Sequence, residues 1–167
     1  MLFPVLQKLA RNYDFTLKIV GSGRDKIELD GVKIENLDWK LERELEDFQS
    51  LDIGLYPITV VGNANEDWLV GKSGFKAIQY MAIGIPFVVS PVGVCAEIGI
   101  ENETHFSAVT EEQWYNSLSI LLELFKERQE MGKKGREYAL KHYTVSQQTD
   151  KIANILLESF EGYQSKT

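Results

Sequence analysis

The sequence predicts an α/β fold with a mostly parallel sheet, and two observations carry that prediction. Short apolar segments of strand length alternate with segments whose apolar residues repeat at helical spacing. Glycine- and lysine-rich segments then fall just beyond the ends of the predicted strands, the rim where open parallel sheets bind ligands. The chain has 167 residues, 44% hydrophobic and 26% charged, which suits one packed domain. We read residues 1–163 as that domain and 164–167 as a frayed polar tail.

The elements follow in order. Phe3, Leu6, Leu9 and Ala10 share one face of a helix over 3–12. FTLKIV at 15–20 is a strand that stops at Gly21-Ser22-Gly23, and VKI at 32–34 is a second. LERELEDFQS at 41–50 is helical, with Leu41, Leu45 and Phe48 on one side and acids on the other. DIGLYP at 52–57 is a strand stopped by Pro57, and 58–72 has no clear period and reads as a long loop. A helix is expected from about Gly74 to Ile83, closed by Gly84 in a left-handed conformation. PFVVS at 86–90 reads as a strand buried on both faces, and HFSAV at 105–109 as another. Three helices end the chain, at about 111–130, 132–142 and 145–161; Ile152, Ile155, Leu156 and Phe160 stripe the last. The first element is a helix, so the sheet is expected to lack a first strand or to borrow one.

Composition narrows the function. A net charge of −7 and a pI near 4.9 argue against a nucleic-acid partner, which needs a basic face. A small anionic ligand stays compatible, because a few local cations and backbone N–H groups suffice. Cys95 is the only cysteine, so there is no intrachain disulfide and no cysteine-based zinc site, and a reducing, cytoplasmic compartment is expected. His105 and His142 lack the neighbours of a catalytic triad or a metal site. No apolar run approaches the ~20 residues that span a bilayer.

Two segments are candidate ligand contacts. In GSGRD at 21–25, Gly21 and Gly23 let the backbone approach a phosphate and Arg24 could pair with it; a plain strand-to-loop turn explains the glycines equally. In GKSGFK at 71–76, Lys72, Ser73, Gly74, Phe75 and Lys76 lie where a helix starts, without the glycine spacing of a P-loop. Two cations there oppose the helix dipole, and a bound anion offsets that cost; solvated surface lysines are the plain alternative. Gln79 shares a helix face with Lys76 and could hydrogen-bond sugar hydroxyls. Trp39 could line a base or sugar pocket, or simply pack, whereas Trp68 and Trp114 read as structural. Lys133, Lys134, Arg136 and Lys141 read as a solvated basic face.

KIVGSG, then DIGLYP, then GKSGFKAIQYMAIGIPFVVSPVGVCAEI resembles the C-terminal, donor-binding half of group 1 glycosyltransferases. The block Tyr80-Met81-Ala82, Gly84, Pro86, Val88-Val89, Ser90, Gly93 and Glu97 carries the likeness, which runs in order from Leu17 to the terminal helices. The resemblance implies a Rossmann-like domain, one half of a GT-B fold, that binds a UDP- or GDP-sugar as substrate and uses no cofactor or metal. It implies a retaining hexosyl-type transferase of cell-surface polysaccharide or glycoconjugate synthesis. It places Gly21, Gly23 and the start of the 74–83 helix at the donor diphosphate, and Gln79 where the family has a ribose-binding glutamate. The earlier family glutamate falls at Gly71. It also implies that a first strand and an acceptor-binding domain precede Met1, so that this half alone is inactive. Contact with the inner face of the membrane through the full-length enzyme, and a homo-oligomer through the face the missing half would cover, are further expectations. The alternative is a non-catalytic nucleotide-binding or interaction module of the same fold, to which the Gly71 and Gln79 departures point.

Overall fold

A computed structural model describes residues 2–23, 26–58 and 70–164, with side chains through Glu161. Helix α1 (Leu2–Ala10) leads into β1 (Thr16–Val20), which pairs in parallel with β2 (Lys33–Leu37) in the register Thr16 to Lys33 through Val20 to Leu37. A 3-10 turn at Leu41–Arg43 runs into α2 (Glu44–Gln49), followed by β3 (Gly54–Tyr56). After the segment outside the described residues come α3 (Phe75–Ile83), β4 (Phe87–Val89), a 3-10 turn at Gly93–Ala96 and β5 (Phe106–Ser107). Helices α4 (Glu111–Glu123), α5 (Phe125–His142) and α6 (Val145–Gln164) complete the chain. The strands form two parallel sheets flanked by helices, β1-β2 and β3-β4-β5.

The period of two along β4 organises the interior. Phe87 and Val89 enter a core with Tyr80 and Met81 of α3 and Ala139 of α5. Val88 points the other way, into a core with Val5 and Leu9 of α1 and Trp114, Leu118 and Leu121 of α4. Helices therefore cover both faces, and β4 is fully buried as the continuous apolar run predicted. Trp114 is a core residue, as read from the sequence, and truncating so large a buried side chain typically costs about 3–5 kcal/mol.

Four expectations are corrected. The helix over 41–50 does not bury Leu41 and Leu45, which are exposed; the buried side chain is Asp47, held by Arg43 Nε at 2.9 Å. Of the expected face only Phe48 packs inward, edge-on to Tyr80 at 5.5 Å; among the described residues nothing buries Leu41 and Leu45. The break among the terminal helices falls at Leu124, whose φ of −101° and ψ of 84° leave the helical region, and not near 131. Gly132 reads as a breaker in sequence but sits inside α5, where a Cβ would lie 2.1 Å from Gly84 O. It is a contact glycine that lets α5 cross the C-terminal end of α3. Arg136 does not belong to a merely solvated face, because its guanidinium donates to Ala82 O, one of the last carbonyls of α3. Finally, the last helix, expected to end at about 161, continues through Gln164; residues 165–167 lie outside the described residues.

The end of α3 matches its prediction. Gly84 has φ +85°, and its N–H donates to Tyr80 O and Met81 O at 3.0 Å each. Among the described residues, no helix is long and apolar enough to cross a membrane.

Candidate anion-binding rim

The start of α3 is assembled by close backbone approaches. Beyond β3, Ile58 N donates to the buried Ser90 Oγ at 3.1 Å, and Ser90 N donates to Tyr56 O at 3.1 Å, which locks the ends of β3 and β4 together. Gly93, at φ +56°, then passes the chain near residue 70 so closely that a Cβ would lie 2.2 Å from Val70 O. Gly74 precedes α3 in the left-handed region at φ +65°, and a Cβ there would lie 2.4 Å from Ile98 Cδ1. Both positions favour glycine by their left-handed conformation, and at Gly93 the obstructing atom is backbone, so space demands it as well.

Helix α3 begins with no side-chain cap and no acid in its first turn. Helix α4 shows the contrast: Thr110 Oγ1 accepts from Gln113 N at 3.2 Å, Gln113 Oε1 accepts from Thr110 N at 3.0 Å, and Glu111 and Glu112 follow. The chain caps one helix fully and leaves the other with the positive end of its dipole next to Lys72 and Lys76. Lys72 lies near enough to the buried Cys95 to favour its thiolate, although burial, the larger effect, pushes that thiol up. Lys76 Nζ sits 5.0 Å from the centroid of the Phe48 ring, a cation–π contact that holds the ammonium at the α2 side. Ser73 and Phe75 are exposed, and Phe75 is an uncovered aromatic beside the two lysines.

The second candidate segment stands at the ends of β1 and β2. Gly21, at φ +75°, donates its N–H to Leu37 O at 2.9 Å, and a Cβ there would lie 3.2 Å from Trp39 Cβ. Gly23 has φ +88° with open space on its Cβ side. Trp39 is 53% exposed, which rules out core packing, and its indole N–H donates to Glu44 Oε1 at 3.3 Å. Arg24 and Trp68 lie outside the described residues. Trp39 and Lys76 border one cleft of about 1040 Å³, together with Val20, Glu44 and Pro57. Of the candidate residues described, only Trp39 and Lys76 line it; Gly21, Gly23, Lys72, Ser73, Gly74, Phe75 and Gln79 do not.

No model of a known protein family matches the chain, and no curated protein does. The chemistry of the rim therefore rests on its own geometry.

Gln79 behaves differently from its neighbours. Its Oε1 is buried and accepts no hydrogen bond, and an acceptor left so costs about 1–3 kcal/mol. A ligand hydroxyl could satisfy it only after the atom is uncovered. Sequence reading passed over Phe48, Glu44 and Tyr80, which line the cleft. For Glu44 and Phe48 the only signal was the aromatic and acidic content of 44–48, which a surface helix shows equally; Tyr80 was marked only by its place in the helix block that carries the resemblance.

His105 is structural. It is 3% exposed, its ring stacks on Phe87 with centroids 5.1 Å apart, and its Nδ1 lies 3.0 Å from Thr104 Oγ1. Burial lowers its pKa from 6.5 to about 4, so it is neutral at pH 7. Among the described residues no group of three or more His, Cys, Asp or Glu side chains could hold a metal ion.

Proposed function

We propose that this chain is the donor-binding half of a retaining, metal-independent glycosyltransferase of GT-B fold, and that it holds the diphosphate of a UDP- or GDP-sugar at the start of α3. The observation that carries this reading is the uncapped, acid-free first turn of α3 with Lys72 and Lys76 beside it, at the strand-end rim of a parallel sheet. As the glycosidic bond of the donor breaks, negative charge collects on the departing diphosphate. Fixed N–H groups and a lysine aimed at that charge lower the barrier without reorganising. Trp39 offers a flat exposed ring at the cleft for the base or sugar, and Gln79 Oε1, once uncovered, offers an acceptor that a ribose hydroxyl would satisfy.

Two further features support a half rather than a whole enzyme. Helix α6 exposes Ile152, Ile155, Leu156 and Phe160, an apolar stripe that no described residue covers. Among the described residues, the first turn of α3 carries no acid. The acceptor-binding domain would supply the rest of the site, and transfer would take place in the cytoplasm or at the inner face of the membrane. Calorimetry of the folded chain with a panel of UDP- and GDP-sugars tests the reading. Binding of at least one, weakened by Lys72→Ala, is the expected result; no heat with any donor counts against it. Binding without turnover, once an acceptor domain is restored, would favour the non-catalytic module that Gly71 and Gln79 suggest.

A further inference from the structure

All but one of the acids that line the cleft have a cation. These acids are Asp14, Glu35, Glu44, Asp47 and Asp52. Asp14 pairs with Lys33, Glu35 with Lys18 at 3.3 Å, Asp47 with Arg43 at 2.9 Å and Asp52 with Arg128 at 3.6 Å. Among the described residues Glu44 has no such partner, and Lys76 is the one cleft-lining cation outside these pairs. The two left over do not pair with each other. Phe48 neighbours both: it follows Glu44 by one turn on α2, and its ring carries Lys76 Nζ at 5.0 Å.

Glu44 is also held in place. Its Oε1 accepts from the Trp39 indole N–H at 3.3 Å, so the carboxylate stands at the edge of an exposed aromatic ring. Gly21 backs that ring, since a Cβ there would lie 3.2 Å from Trp39 Cβ. Arg43, next in the chain, is already engaged. Its Nε donates to both Asp47 oxygens, at 3.1 and 2.9 Å, and its Nη2 to Asp38 O at 2.8 Å. A carboxylate has about four acceptor sites, so one indole N–H leaves Glu44 able to accept more.

A base stacked on the face of Trp39 turns its own edge toward that carboxylate. The bases differ in what they present there. Guanine offers two adjacent donors, N1–H and the N2 amine, which a carboxylate accepts as a fork. Uracil offers one N–H between two carbonyl oxygens, and a carboxylate that reaches the N–H also meets an oxygen. Adenine and cytosine place an acceptor beside their amine. An unpaired acid at this edge therefore attracts one base and repels the others.

We propose that Glu44, oriented by Trp39, makes the donor site selective for guanine, so that the substrate is a GDP-sugar and not a UDP-sugar, with its diphosphate toward Lys76. The proposal rests on the donor-site reading above and adds the base to it. An acid in the first turn of α2 also suits the helix dipole, a role that is indifferent to the base. Glu46 occupies the same turn without lining the cleft and separates the two roles.

Calorimetric affinities of GDP, UDP and inosine diphosphate for the full chain test it. GDP should bind at least tenfold tighter than UDP, the discrimination expected of a forked contact. Inosine diphosphate keeps N1–H but lacks the N2 amine and should fall between them. Glu44→Gln replaces the two acceptors by one acceptor and one donor, the complement of uracil N3–H and O4. It should lower the GDP-to-UDP affinity ratio at least tenfold, with the variant folded by circular dichroism. Glu46→Gln should leave the ratio unchanged. Equal affinity for GDP and UDP overturns the proposal and leaves the donor site standing, whereas binding of neither overturns both. Inosine diphosphate binding as tightly as GDP also overturns the proposal. So does a ratio that Glu44→Gln leaves in place, or that Glu46→Gln lowers as much.

Discussion

Gly132 and Gly84 meet backbone to backbone: a Cβ on Gly132 would lie 2.1 Å from Gly84 O and 3.1 Å from its carbonyl carbon. The contact fixes how closely α5 crosses the C-terminal end of α3. Gly132→Ala should destabilise the fold by about 1–3 kcal/mol despite the better helix propensity of alanine, because the obstructing atoms are backbone. Gly135→Ala, one turn on, meets Met81 Cγ at 3.4 Å and Thr104 O at 3.5 Å, near ordinary contact, and should be neutral or stabilising by up to about 1 kcal/mol. Urea midpoints of the two variants check the contrast, and equal effects would refute it.

The fold should lose stability in mild acid through His105. The native state holds the neutral ring with a pKa of about 4, whereas the unfolded chain takes up a proton below about 6.5. More protons bind to the unfolded state in that window, so stability rises with pH from about 4 to 6.5 and is level above. The contribution is on the order of 3 kcal/mol. Denaturant titrations at pH 7 and pH 4.5 should differ accordingly, and His105→Gln should flatten this part of the profile. An unchanged slope in the variant would show that other groups carry it.

Gly54 and Tyr80 form a second close contact. A Cβ on Gly54 would lie 2.7 Å from the Tyr80 ring, which also stacks on Phe87 at 5.7 Å. Gly54→Ala should cost about 1–3 kcal/mol. Tyr80→Phe removes only the hydroxyl that donates to Leu55 O at 3.2 Å and should cost about 1 kcal/mol. Burial holds the Tyr80 phenol up at about 12, so it should be missing from the spectroscopic tyrosine titration below pH 11. Full titration of all seven tyrosines near pH 10 would contradict the packing.

Much of the fold was legible because its signals are local. The run PFVVS reported a strand covered on both faces, and Gly84 a left-handed helix end, and both are seen. The start of α3 was legible for the same reason, since Lys72 to Lys76 adjoin in the chain. Contacts across distance were not. Gly132 carries no sequence mark that separates a contact glycine from a breaker, and Asp47 is buried only because Arg43 reaches it. The exposure of Trp39 depends on what stands beside Gly21, which spacing does not encode.

The donor site itself depends on the charge at the start of α3. Lys72→Ala should weaken binding of UDP or GDP about tenfold while the chain stays folded by circular dichroism. Raising salt should weaken the wild-type protein more than the variant, because the lost term is electrostatic. A nucleoside without phosphates should bind both proteins equally; a difference there would place Lys72 at the base instead.

Mapping amide chemical shifts while UDP- and GDP-sugars are titrated into the folded chain tests the central claim most directly. The predicted result is perturbation concentrated at Lys72–Ala77 and Gly21–Gly23, with Trp39 indole N–H shifting in the same titration. Saturable shifts confined to other surfaces, such as the basic residues Lys133 and Lys141 of α5, or no shifts at all, would contradict it.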